Sequence, residues 1–206
     1  MTDRTSSRRS FLIAAGAGTA GLAGGAVLRG VFADSDASGA VPSEADIGFC
    51  TDMSTHHVQA LAMCQRVLGR DTGGAVQAAA SEVLQTQAIE VGMMRAWLTD
   101  WDQSTSPPST VMAWMGMDDD AGVPAAMMPG FATDDDMRAL SQADGMAQGR
   151  LWIELMRAHH VGGVAMAEAA IELVEADKVS LLARTQADVQ TYEITQYDIL
   201  LSTIYA

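Results

Sequence analysis

The chain has 206 residues, with 12 basic against 26 acidic side chains and a formal net charge of −14. So acidic a protein excludes nucleic acid and anionic lipid as partners and attracts cations. Its length suffices for one domain with a full apolar core.

Residues 1–33 read as an export leader. Ser7-Arg8-Arg9-Ser10-Phe11-Leu12 places paired arginines directly before an apolar run, the pattern of a twin-arginine signal. Phe11 to Leu28 is rich in Gly and Ala, shorter and softer than the roughly 20 strongly apolar residues of a membrane span. Val31-Phe32-Ala33 supplies small-residue cleavage chemistry. The expectation is export to the periplasm, cell envelope or exterior, with no membrane contact beyond the leader. Residues 34–206 keep eight basic and 25 acidic residues, a net charge of −17.

Residues 34–43 form a small-residue, polar linker, and a domain follows over 44–206. From Glu44 to about Leu68, Ile47, Cys50, Met53, His57, Ala60, Leu61 and Cys64 recur at the helical period. Gly69 to Gly74 breaks this helix, and a second runs from about Ala75 to Trp101. The break is short, so the two should be antiparallel neighbours. Residues 102–132 form a long crossover with Pro107-Pro108, Pro124 and Pro129, in which Met112, Met115, Met117, Met127 and Met128 fall within 17 residues. Thr133 before Asp134, Asp135 and Asp136 reads as a helix cap with carboxylates at the positive helix end, in preference to a cation site. A third main helix is expected over about 150–176 and a fourth over about 178–204. The fold class is therefore all-α, a four-helix bundle of two helical hairpins joined by the long crossover.

The hairpins look duplicated. All four histidines occur as His56-His57 and His159-His160, 103 residues apart. The same offset maps Phe49 onto Trp152, Met53 onto Met156, Met63 onto Met166, Gln87 onto Gln190 and Glu90 onto Glu193. The repeat halves are about 44–101 and 147–204.

This repeated set is a metal-site vocabulary. Met53, His56, His57 and Met63 lie on one helix with Cys50, and Met156, His159, His160 and Met166 repeat the arrangement without the cysteines. Adjacent helical residues point about 100° apart, so each pair should have one inward and one lateral ring. His57 and His160, each four residues after a Met, are the expected inner ones. Glu90 and Glu193 either coordinate or hold the far nitrogen of a ligating imidazole. Imidazole with sulfur favours Cu(I), with zinc or iron as the other candidates. Cys50 and Cys64 on one helix would be about 21 Å apart, too far for a disulfide.

The partner is a metal ion, with a metal-transfer protein as a further candidate. Ferritin-like di-metal oxidoreductases of iron or manganese use Glu-x-x-His, and neither histidine pair has Glu three residues earlier. His-Glu-x-x-His is also missing. Enzymatic activity is thus disfavoured and no catalytic residue stands out. A metal-independent interaction module is the third reading.

Phe49-x3-Met53-x2-His56-His57-x2-Ala60-x2-Met63, with its copy Trp152-x3-Met156-x2-His159-His160-x2-Gly163-x2-Met166-Ala167, resembles the domain-of-unknown-function family 305. The Met128-Pro129-Gly130 segment is similar to that family's connector. The resemblance covers about residues 44–204. It implies an exported ferritin-like bundle associated with copper binding or tolerance, without an established enzymatic activity. Two departures stand out. The family's acidic residue seven positions before the motif methionine is present as Asp46 but replaced by Gly149, and its proline before the histidines is replaced by Thr55 and Ala158. The two half-sites are expected to differ in affinity.

Overall fold

The computed structural model describes residues 41–117 and 121–205. The expected leader and most of the linker lie outside these residues. Four long helices dominate: α1 (Glu44–Val67), α2 (Gly74–Asp100), α4 (Gly145–Leu173) and α5 (Asp177–Thr203), with a short α3 (Asp134–Gln142) before α4. They make two hairpins, α1/α2 and α4/α5, which meet chiefly through α1 and α4. The fold is all-α, as the apolar periodicity predicts.

Local chemistry sets the helix starts. Ser43 Oγ accepts from the Asp46 amide while the Asp46 carboxylate accepts from the Ser43 amide, a reciprocal box that satisfies two amides orphaned at the start of α1. Thr133 and Asp136 build the same device for α3, and those hydrogen bonds hold the Asp136 carboxyl below its ordinary range. The acidic triplet is therefore a helix start. Gly69 and Gly73, at φ of +77° and +90°, let the chain reverse between α1 and α2.

The third main helix begins earlier than its apolar pattern suggests, at Gly145 instead of about residue 150. Gly149 is buried inside it because a Cβ there would lie 2.4 Å from the Thr72 carbonyl oxygen and 2.8 Å from the Tyr205 ring. The position that carries Asp46 in the first half is thus approached by Thr72 and Tyr205 in the second. Trp152, Met156, Met63, Val67 and Tyr197 fill the core, with the Trp152 and Tyr197 rings edge to face at 5.8 Å.

The crossover is ordered by a few anchors. Thr110–Val111 and Val123–Pro124 pair as a two-stranded antiparallel ribbon, with short 3-10 turns at Ala113–Met115 and Ala125–Met127. Asp52 on α1 accepts from the Met112 amide at 2.6 Å and from Trp114 Nε1 at 2.9 Å. Gln59 brackets Ala132, donating to its carbonyl at 2.8 Å and accepting from its amide at 2.7 Å. Gly162 has no Cβ because the Pro129 carbonyl oxygen would sit 1.9 Å from it. The methionines of the crossover divide accordingly: Met112 and Met128 are buried, while Met127 is exposed.

Candidate metal centre

The histidine pairs sit at mid-length on α1 and α4, the two helices through which the hairpins meet. His56 and His159 stack on each other with ring centroids 3.6 Å apart and planes 27° apart. His57 and His160 turn instead toward the second helix of their own hairpin: His57 Nε2 is 2.7 Å from Glu90 Oε2 and His160 Nε2 is 2.6 Å from Glu193 Oε2.

All four imidazoles are fully buried. This corrects the expectation of one inward and one lateral ring per pair. The 100° between neighbours holds, but the second direction points into the opposite hairpin and the crossover, and both are protein. Phe131 of the crossover lies 6.2 Å from the His56 ring and 6.4 Å from the His159 ring, closing that side.

The four rings share one hydrogen-bond polarity. His56 Nε2 donates to the Pro129 carbonyl at 3.3 Å, and His159 Nε2 donates to the His56 carbonyl at 3.0 Å. A carbonyl can only accept, so in both rings the hydrogen is on Nε2. A carboxylate acceptor implies the same tautomer for His57 and His160. In every ring Nδ1 is left buried and without a hydrogen-bond partner. Four buried ring nitrogens with no partner are unusual, because buried polar atoms are normally satisfied.

Burial keeps the central rings uncharged. His56 is pushed down to about 3, mainly by desolvation and then by neighbouring His57, with the Pro129 carbonyl opposing. His159 is lowered well below its ordinary value by desolvation, then by His56, His160 and His57. Neutral imidazole is the form that binds metal.

The sulfur donors are close in sequence and equally buried. Met53, Met63, Met156 and Met166 have no solvent exposure. Met53 and Met156 lie one turn before the histidines on the same helix faces. Cys50 and Cys64 are buried free thiols on α1. Desolvation pushes Cys64 up to about 12 and Cys50 higher still, so both are held as thiols. Among the described residues, no three His, Cys, Asp or Glu side chains gather as a metal cage. The groups left unpartnered here are the imidazole Nδ1 atoms, and buried thioether sulfurs lie one turn away along the same helices. Glu90 and Glu193 each spend an oxygen on an imidazole Nε2, the placement of a carboxylate that orients a ligand.

One participant escapes the sequence reading. Gln186 of α5 donates to Glu90 Oε2 at 3.2 Å and lies 3.3 Å from His57 Nε2, reaching across from the other hairpin. Its counterpart under the 103-residue offset is Val83, so the repeat gives no signal for it. Its spacing from Gln190 and Glu193, four and seven residues on, places all three on one face of α5 and could have drawn notice.

Comparison with known proteins bears on this arrangement. No curated protein matches the chain. Among solved structures, a DUF305 protein of Streptomyces coelicolor described as secreted is 37% identical, with a TM-score of 0.70, covering 77% of this chain and 92% of that one. A DUF305 fragment from Deinococcus radiodurans is 25% identical, with a TM-score of 0.66 and coverage of 79% and 99%. CopM in its Cu(II)-bound form is 26% identical, with a TM-score of 0.59 and coverage of 78% and 97%. The profile of the family described as "Domain of unknown function (DUF305)" matches residues 46–201, most of the chain. With the doubled Met-x2-His-His motif at the meeting of its two hairpins, this chain belongs to the DUF305 family.

Proposed function

We propose that this protein is an exported copper-binding protein that sequesters or passes on Cu(I) through its duplicated Met/His-His sites. The observation that carries the reading is the set of four buried imidazole Nδ1 atoms without partners, each ring already committed through Nε2 to a carbonyl or carboxylate. Such rings can accept a metal at Nδ1 without losing a proton, and their orientation is set in advance. The thioethers of Met53 and Met156, with Met63 and Met166 on the far side of the histidines, supply the soft partners. His56, His57, His159 and His160 are the nitrogen ligands of this reading, and Glu90 and Glu193 orient His57 and His160.

The similarity to CopM in its Cu(II)-bound form supports the choice of copper. The S. coelicolor relative described as secreted supports export, as do the paired arginines at Arg8-Arg9. No described helix is long and apolar enough to cross a membrane. A carboxylate-bridged iron or manganese centre is disfavoured because one oxygen of each glutamate is spent on an imidazole. The residue limits proposed for the working domain are 44–206, with the crossover as its lid over His56 and His159.

Competition with a chromogenic Cu(I) chelator tests the proposal. The native chain should withdraw Cu(I) from the chelator, and His57→Ala with His160→Ala should remove most of that capacity. Unchanged uptake by a folded double variant would end the copper reading.

A further inference from the structure

Nothing reaches the stacked rings of His56 and His159 unless some segment moves, because both are fully buried. Two of the walls around them are α1 and α4, helices of 24 and 29 residues that open locally only at high cost. A third wall is Met128–Ala132 of the crossover, whose Phe131 lies against both rings. Pro129, Gly130 and Phe131 are only half-buried, so one layer of chain separates this side of the pair from water.

That layer is held at few points. Within itself it makes one backbone hydrogen bond, from the Phe131 amide to the Met128 carbonyl at 3.0 Å. Against α4 it rests backbone on backbone. A Cβ on Gly162 would lie 1.9 Å from the Pro129 oxygen, and one on Gly130 would lie 2.3 Å from the Ala158 oxygen. Side-chain hydrogen bonds to it, among the described residues, come from α1. Gln59 takes both the amide and the carbonyl of Ala132, at 2.7 and 2.8 Å, and His56 Nε2 donates to the Pro129 carbonyl at 3.3 Å. The last is long for such a bond, which leaves Gln59 as the stronger hold. Irregular segments with so few bonds are the ones that open while the rest stays folded.

We propose that Met128–Ala132 is a strap that lifts to admit an ion to His56 and His159, with Gln59 as its latch. The identity of the ion rests on the copper reading, whereas the gate is measurable without metal. The gate and the site share a residue: the ring that offers Nδ1 to the ion holds the strap through Nε2. A cation on Nδ1 makes the Nε2 hydrogen a stronger donor, so a loaded site fastens its own strap. His57 and His160 turn away toward Glu90 and Glu193, whose side chains keep 10% and 15% exposure. Access to those two rings is therefore independent of the strap.

Diethyl pyrocarbonate, which acylates neutral imidazole, tests the gate on the metal-free full chain, with each histidine resolved by peptide fragmentation. His56 and His159 should react far more slowly in the native chain than in the chain unfolded in urea. Gln59→Ala should accelerate both by about 5–30-fold, as expected for two lost hydrogen bonds, and leave His57 and His160 unchanged. Unchanged rates at His56 and His159 in the folded variant would overturn the strap. Tyr205→Phe, which removes the hydrogen bond to the Thr72 carbonyl near the start of α4, tests for general loss of stability. Equal acceleration by that variant would assign the exposure to global unfolding and overturn the strap as well. With Cu(I), Gln59→Ala should speed uptake and release by one common factor and leave Kd at the native value. A native chain that takes up no Cu(I) would end the copper reading, while the acylation rates would still decide the gate.

Discussion

The two half-sites carry the same residues at the same spacing, yet their surroundings differ. His57 with Glu90 is braced by Gln186 from the opposite hairpin, whereas His160 with Glu193 has the Tyr197 ring at 5.5 Å. His56 donates into the crossover and His159 into a helix carbonyl. Asp52 anchors the crossover to the first half, and its counterpart in the second is Leu155, which carries no charge. A single crossover cannot serve two equivalent sites. The matching histidines and glutamates therefore sit in unequal surroundings, and the single crossover is what makes them so.

The largest expected effect is on acid stability, to which the buried imidazoles and the buried Asp52 carboxyl contribute with opposite signs. His56 is near 3 folded and about 6.5 unfolded. Between those values the unfolded chain binds more protons, so stability falls as pH drops from about 6.5 toward 3, by up to about 1.4 kcal/mol per pH unit. His159 acts in the same direction. Burial raises Asp52 to about 6 against the hydrogen bonds of Met112 and Trp114. Here the folded chain holds the extra proton, so Asp52 returns some stability as pH falls from about 6 toward 4. Urea unfolding across pH 4–7 should show a net loss, and Asp52→Asn should steepen it. A profile flat through this window would contradict the buried, neutral imidazoles.

Removing the carboxylates compares the half-sites directly. Glu193→Ala should weaken Cu(I) binding at its half-site by about 10–100-fold. Glu90→Ala should cost less, because the Gln186 amide can turn its oxygen toward His57 Nε2. Equal losses in chelator competition would show that Gln186 does not compensate. With Gln186→Val, which copies Val83, the two losses should converge.

The grip on the crossover is also unequal. Gly162→Ala forces a Cβ against the Pro129 carbonyl and should destabilise the fold by about 1–3 kcal/mol, read as a lower denaturant midpoint. Gln59, at the equivalent place in the first half, holds Ala132 by two hydrogen bonds, and Gln59→Ala should cost about 1–2 kcal/mol. A Gly162→Ala variant as stable as the native chain would mean the connector can lift away without penalty.

Much of this was legible in the residues. The 3.6-residue recurrence of Ile47, Cys50, Met53 and His57 announces α1, and Thr133 before Asp136 announces the start of α3, because periodicity and capping are local. The start of α4 was misjudged because Gly145 and Gly149 carry no apolar signal. They are there for what approaches them, and the approach of Thr72 and Tyr205 is a tertiary matter. The lateral placement of His56 and His159 failed for a related reason. A single helix wheel has two sides, but it does not say that a second hairpin and a crossover will cover both.

By itself the sequence determined which side chains recur, on which helix face they stand, and that imidazole, thioether and carboxylate recur together. Only the tertiary structure decided that two rings stack on each other while two reach for glutamates, and that Gln186 crosses to one hairpin alone. Spacing along a helix follows from its pitch, so it is written in one strand of residues. Which ring nitrogen is spent on a neighbour, and which is left free, depends on contacts between segments 33 to 129 residues apart.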